Sequence, residues 1–552
     1  MSSAAVSSLF LLQVLTRASN FALGTVLARV LGPEWFAISN VQLQLASASA
    51  LFLTKEGLRR ACQRMYPGGG GTPLVHGVNL AWVSVPLTAV CAGLVGAYTA
   101  YRADPSRAQH DSAAIVNPAE YSFTVWLVCL AAVIEAAAEP AWLYAQANDL
   151  IPKRAVAEGV ALVLKAVATA LMAIVYREAT GAAAAFGYAQ LVYSLVYVAL
   201  LYLVLHRVCG LNQLLPRSPP KSNAAPEATL DRLLPTSHRA VGAQYCWQSM
   251  QKYALTEGER LVLVRISPLA QQGIFALVSN LGSLVARLIL QPIEEVAFGH
   301  FSQLAAAELA KGGRTSVGGA SSARGVGPAG LITLHALLRG AAIFGGVVLA
   351  FGPAYSWLLL RILYGTAWTT TEAPALLALY CAHVCTMAIN GVAEAFVHAT
   401  ASPEELTRLS RAMVVLAAAY IPVAAAGLQL AGSFGLVVAN CLNMLARIAY
   451  CAAFISRAVR AEWADEASGR PRAVPRRRVV FALAAASAVT SMAKAWLGRP
   501  QSTNAAHAAH VALGAVCLVA VGVVVMREEP ELLVALRAAR HRGGRAAAAH
   551  RE

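Results

Sequence analysis

The chain has 552 residues, 58% of them hydrophobic and 13% charged, with a mean hydropathy of +0.57. Soluble globular chains carry about 25% charged and about 45–50% apolar residues, so the apolar surplus excludes a soluble fold and requires lipid as solvent for much of the surface. The net charge of +16 does not mark a nucleic-acid binder, because Lys and Arg lie in short connectors between apolar runs, where they report orientation.

Runs of about 20 mostly apolar residues, enough to cross a bilayer as helix, recur along the whole chain. They predict helices at 5–32, 36–56, 78–101, 120–146, 153–176 and 181–206. The first run is too long, and too interrupted by Gln13, Arg17 and Asn20, for a cleavable signal, and reads as a retained helix. A polar connector at 207–239, with Pro216, Pro219, Pro220 and Pro226, ends this first lobe, residues 1–206. Helices follow at 240–264, 270–301, 331–360, 374–400, 408–430 and 433–457, a second lobe over 240–457. After a basic linker at 458–477 come two further helices at 478–498 and 506–526, then a basic tail at 527–552. The expected architecture is an all-α integral membrane protein of about 14 transmembrane helices. Two six-helix lobes would face a central cavity, with two C-terminal helices added, as in transporters built from repeated halves.

The connectors give an orientation. With the N-terminus cytosolic, the connectors and tail on that side hold 29 Lys or Arg and the opposite connectors 6. By the positive-inside rule both termini and the two linkers are then cytosolic. No Asn-x-Ser/Thr sequon occurs.

The functional signal lies inside the helices, where a charge near the bilayer centre costs at least ~2.5–3.5 kcal/mol. Polar residues recur at helical spacing. Gln13, Arg17, Asn20 and Gly24 mark the first helix; Asn40, Gln44, Ser47 and Thr54 the second; Glu135, Glu139, Trp142 and Gln146 the fourth. Gln248, Lys252 and Glu259 share a face of the seventh, and Asn280, Ser283, Arg287, Gln291 and Glu294 form the longest stripe, on the eighth. His383, Asn390 and Glu394 mark the tenth, and Asn440, Asn443 and Arg447 the twelfth. One such stripe can be interhelical glue, and Glu135 with Glu139, or Glu158 with Lys165, can be neutralising pairs. Stripes on many helices of both lobes imply a hydrated cavity. The bases Arg17, Lys252, Arg287 and Arg447 suit an anionic group such as a diphosphate, for which Arg supplies a planar fork of donors. Pro292 is expected to open the backbone just beyond Arg287.

Other chemistry is not indicated. There is no Walker-type nucleotide loop, and Gly325, Gly327 and Gly330 fall in a Gly/Ser-rich loop without a preceding strand. The ten cysteines have no zinc spacing. No enzyme activity, metal, cofactor, nucleotide or nucleic-acid partner is expected.

Five blocks then become familiar: LFLTKEGLRRACQR from Leu51 to Arg64, EPAWLYAQ from Glu139, LTEGERLVLV from Leu255, NLGSLVARLILQPIEE from Asn280, and AINGVAEAF from Ala388. In content and order they resemble the Rft family of endoplasmic-reticulum membrane proteins. That family is in turn similar to the multidrug, oligosaccharidyl-lipid and polysaccharide exporters. The resemblance implies two six-helix lobes with two extra helices. It also implies work on dolichol-linked oligosaccharide in N-glycosylation: moving Man5GlcNAc2-diphosphodolichol from the cytosolic to the luminal leaflet of the endoplasmic reticulum by alternating access. The alternative is an accessory protein that binds the glycolipid, or organises its enzymes, without transporting it. The implied partners are the dolichol-diphosphate-linked oligosaccharide and membrane lipids. With the basic residues of the matched blocks, the candidate substrate-binding set is Arg17, Asn20, Lys55, Arg59, Arg60, Lys252, Arg260, Asn280, Arg287, Asn390 and Arg447. Glu257, Glu259, Glu294 and Glu394 are the acidic or structural members. Lys55 stands where the family pattern has Arg, and Arg260 where it has Lys.

Overall fold

The computed structural model describes residues 21, 24–65, 74–102, 117–148, 150–175, 182–217, 231, 233–310, 326–462, 472–497 and 502–530. Arg17, Asn20, most of the helix expected at 5–32, the middle of each linker and the tail beyond residue 530 lie outside these residues. Among the described residues the secondary structure is helical, without strands, and eleven helices are long and apolar enough to cross a membrane. Two features bear on the expected fourteen. The segment Pro403–Glu462 is one continuous run interrupted at Ala431 and Gly432, so it holds two helices. Helix Thr236–Ile266 has 31 residues but is too polar to meet the same apolar criterion.

The chain packs as two compact units, Met1–Gly273 and Ile274–Glu552. In the first unit, α1 runs Pro33–Met65, α2 Val75–Tyr101, α3 Pro118–Ala147, α4 Ile151–Val175, α5 Ala182–Cys209 and α6 Thr236–Ile266. Small residues let these helices approach: Ala46 and Ala50 of α1 pack with Ala132 and Ala136 of α3, with Phe186 of α5 filling the gap. Without water to expel, such close packing and interhelical hydrogen bonds carry association. Thr54 bonds Thr88 at 2.6 Å, and the Ser84 hydroxyl donates to the Ala136 carbonyl at 3.0 Å. Helix α6, which follows the linker, packs in this unit through the Ser49–Tyr253 hydroxyl contact and a Phe52–Tyr253 stack with centroids 4.4 Å apart. Both ends of the linker are strapped to α2. Trp82 Nε1 donates to the Leu214 carbonyl, while the Asn79 amide donates to the carbonyls of Arg217 and Leu233.

Helix α7 runs Leu269–Ala307, and from Ile274 onward it belongs to the second unit, with α8 Gly327–Tyr364, α9 Ala373–Thr400, α10 Pro403–Glu462, α11 Arg477–Trp496 and α12 Asn504–Glu528. The break in α10 centres on Gly432, whose φ of 55° falls in the left-handed region that glycine enters without penalty. The two arms then meet at Gly427 and Gly435, where an added Cβ would strike the opposing backbone. The last two helices pack on α8 through Ile343, Ala350, Leu483 and Val521. Polar contacts fix them: Tyr355 donates to the His510 carbonyl, Lys494 to the Pro353 carbonyl, and buried Arg339 pairs with Glu529 at 3.3 Å.

Among the described residues three π-helical turns interrupt the long helices, at Ile38–Gln42 and Leu53–Leu58 in α1 and at Ala286–Leu290 in α7. Such wide turns rotate the residues that follow and concentrate at functional positions. Here they carry Asn40, the Lys55–Glu56 pair and Arg287.

Candidate functional site

The first unit holds a half-open cavity of about 780 Å3. Helix α1 lines it with Asn40, Gln44, Ser47, Lys55 and Glu56, α3 with Glu135, and α4 with Lys165 and Thr169. Gln190 and Tyr193 of α5 and Lys252, Tyr253, Thr256 and Glu257 of α6 complete the polar wall. Asn40, Gln44 and Ser47 of the α1 stripe therefore face the cavity because their spacing puts them on one face, whereas Thr54 is buried against Ser84 and Thr88; the π-turn at residues 53–58 brings two successive charged side chains to the cavity.

Ion pairs organise the charge. Lys55 Nζ lies 2.5 Å from Glu135, whose side chain is 3% exposed. Glu56 holds both Lys252 at 2.6 Å and Arg60 at 2.9 Å, and Glu257 holds Arg260 at 3.2 Å. One turn along α1 from Lys55, Arg59 forms a two-pronged pair with Glu139, and its guanidinium also covers the Trp142 ring at 4.3 Å. Lys55 and Arg59 thus meet Glu135 and Glu139 as two rungs of one ladder. The carboxylates neutralise bases of another helix rather than one another.

Of the candidate substrate-binding residues in this unit, the cavity gathers Lys55 and Lys252, with Glu257 beside them. Arg60 and Arg260 are not part of the lining and pair with two glutamates that are, Glu56 and Glu257. Arg59 turns away into the Glu139–Trp142 contact, and half-buried Glu259 is not part of the cavity lining. Lys165, Gln190 and Tyr193 line the cavity without having been singled out as ligands. The available signal for Lys165 was an ammonium in the middle of an apolar run. Sequence proximity paired it with Glu158, whereas among the described residues Lys165 has no salt bridge, and Tyr193 lies under its Nζ at 5.6 Å.

In the second unit, Arg287 and Asn280 are exposed on α7. Among the described residues Arg287 has no hydrogen bond or ion pair, so no network ties it to Glu294. The N–H of Gln291 reaches back to Ala286, and Pro292 supplies no N–H to the turn before it. Glu294 is half-buried beside Gly391, where a Cβ would fall on its carboxylate. Arg447 grips Glu394 with two bonds of 2.7 Å. Asn390 is buried, with its amide oxygen unbonded among the described residues.

The helical architecture is that of a multi-pass membrane protein. A structure of the lipid II flippase MurJ in an inward closed conformation matches with a TM-score of 0.56 at 9% identity, covering 94% of this chain and 98% of that one. An inward-facing multidrug resistance MATE family transporter of the MOP superfamily matches with a TM-score of 0.51 at 11% identity, covering 80% and 95%. At these identities the likeness is one of fold. The sequence goes further. The family described as Rft protein matches residues 1–538, and the chain belongs to it. The Man(5)GlcNAc(2)-PP-dolichol translocation protein RFT1 of Mus musculus is 34% identical over 537 residues, 93% of this chain and 92% of that protein. The protein of the same name from Xenopus tropicalis is 29% identical over 546 residues, 94% and 93% of the two chains.

Proposed function

We propose that this chain moves a dolichol-diphosphate-linked oligosaccharide, Man5GlcNAc2-diphosphodolichol, across the endoplasmic-reticulum membrane. Its relatives carry the name of that translocation, and the fold is one found in transporters. The observation that carries the reading is the polar cavity among otherwise apolar helices, large enough for several sugar rings and lined by three lysines. Its amides, hydroxyls and the Phe52–Tyr253 stack offer sugars both hydrogen-bond partners and apolar faces. The polyprenyl tail stays in lipid while the glycan and diphosphate occupy the cavity. Movement runs from the cytosolic to the luminal leaflet by alternating access, and both termini are cytosolic, as the 29-to-6 distribution of basic residues favours. No nucleotide takes part. Net flow follows consumption of the glycolipid on the luminal side.

A photoreactive amino acid at Gln44, on the cavity wall, tests occupancy in microsomes. Irradiation is expected to give a covalent adduct with the dolichol-linked glycan, and the same probe at lipid-facing Leu94, 68% exposed, is expected to give none. Failure to capture the glycolipid at Gln44 from glycolipid-rich microsomes overturns the reading.

A further inference from the structure

Each carboxylate lining the cavity already has a basic partner: Glu135 has Lys55, Glu56 has Lys252 and Arg60, and Glu257 has Arg260. Lys165 is different. It is half-buried on α4 within a membrane-spanning run and faces the cavity. Among the described residues it has no carboxylate within salt-bridge distance, and its Nζ lies over the face of Tyr193. It lies within electrostatic reach of Glu135, which Lys55 holds at 2.5 Å. An ammonium kept within a membrane-spanning run without a salt-bridged carboxylate of its own is costly and marks a functional position.

We propose that Lys165 is the residue that reads the diphosphate of the lipid-linked glycan. This rests on the function proposed above and assigns the anionic part of the ligand to one wall of the cavity. The chemistry favours the diphosphate over the sugar. Neutral sugar hydroxyls are met by groups that both donate and accept, and Gln190, Tyr193 and Gln44 serve that purpose. A cation with three donors and no paired carboxylate calls for an anion, and in a neutral glycan on a lipid diphosphate the anion is the diphosphate itself. The lining carries three lysines, Lys55, Lys165 and Lys252, against three glutamates, Glu56, Glu135 and Glu257. Lys55 and Lys252 are held by lining glutamates, which leaves Lys165 as the lysine of the lining without a salt-bridged carboxylate. Lys55 and Lys252 stay with their glutamates and hold the walls, so the ligand meets Lys165 without first breaking an ion pair.

The test uses the purified full-length chain in nanodiscs and measures binding of synthetic Man5GlcNAc2-diphosphopolyprenol and of the free Man5GlcNAc2 glycan. Lys165→Met is expected to weaken glycolipid binding tenfold or more, a change of about 1.4 kcal/mol per tenfold. Affinity for the free glycan and the melting temperature should be unchanged, and Lys165→Arg should restore most of the glycolipid affinity. Lys165→Gln provides the same test where the Met variant folds poorly. Folded Met or Gln variants that bind the glycolipid as tightly as wild type overturn the role of Lys165 and leave the proposed function standing. A wild-type chain that binds no glycolipid removes both. Inorganic pyrophosphate and phosphatidylserine serve as competitors. Displacement of the glycolipid by either at equal concentration shows a general anion site and also overturns the proposal.

Discussion

Arg59 and Glu139 offer the sharpest energetic test in the first unit. Their side chains are 21% and 6% exposed, and the guanidinium engages both carboxylate oxygens while it covers Trp142. Glu139→Ala leaves a largely buried guanidinium with its ring contact alone. Breaking a buried pair by removing one partner costs ~3–5 kcal/mol. The residual exposure of Arg59 and the surviving cation–π contact, worth ~0.5–2 kcal/mol, bring the expected loss to roughly 2–4 kcal/mol. For a unit of this size that corresponds to a fall in melting temperature of roughly 5–15 °C, read by fluorescence-monitored unfolding in detergent. Removing both charges in Arg59→Met/Glu139→Leu should recover at least half of the loss, because paired apolar replacements of similar volume leave no orphaned charge. A Glu139→Ala protein as stable as wild type would refute the structural assignment. So would a double variant less stable than the single one, since it would show that Arg59 acts independently of Glu139.

Arg287→Gln should leave abundance and melting temperature unchanged, since the exposed side chain has no partner among the described residues; loss of stability on thermal unfolding would place it in a structural network instead. Gly435→Ala should destabilise the α10 hairpin by about 1–3 kcal/mol, because its Cβ meets the Gly427 backbone, which cannot swing aside as a side chain does. Reduced expression and a lower melting temperature report that effect, and a neutral result would mean the arms separate freely. Glu394→Gln weakens the two-bond clasp on Arg447, whose side chain is 30% exposed, and should cost about 1–2 kcal/mol, measured by chemical unfolding in micelles. An unchanged unfolding midpoint would show that the clasp contributes nothing to the second unit.

The helices were legible because lipid imposes long apolar runs, and the break at Gly432 because glycine separates two of them. Most of the α1 stripe was legible as well: Asn40, Gln44 and Ser47 are spaced to share a face that lines the cavity, while Thr54 packs against Thr88 instead. Pairing was not, because it depends on which helices meet. Lys55 and Glu135 are 80 positions apart and Lys252 and Glu56 are 196 apart, so spacing along one helix suggested Glu135 with Glu139 and Lys165 with Glu158 instead. The π-turns left no sequence signal, since they arise where packing twists a helix locally. They decide where Lys55, Glu56 and Arg287 point. Helix 236–266 was placed correctly as a helix, but its polar face, with Lys252 and Glu257, belongs to the cavity of the first unit. The count of basic residues across the linker carried no information on that packing.

The most direct test of glycolipid translocation is made with the purified chain alone, reconstituted into vesicles that carry Man5GlcNAc2-diphosphodolichol in both leaflets. A glycan-binding probe added outside reads how quickly inner-leaflet glycolipid reaches the surface. A transporter is expected to expose nearly all of it within minutes, with a rate that scales with protein per vesicle and falls in the Lys165→Met variant. Folded protein that exposes glycolipid no faster than protein-free vesicles would contradict transport and leave a binding, non-transporting role for the cavity.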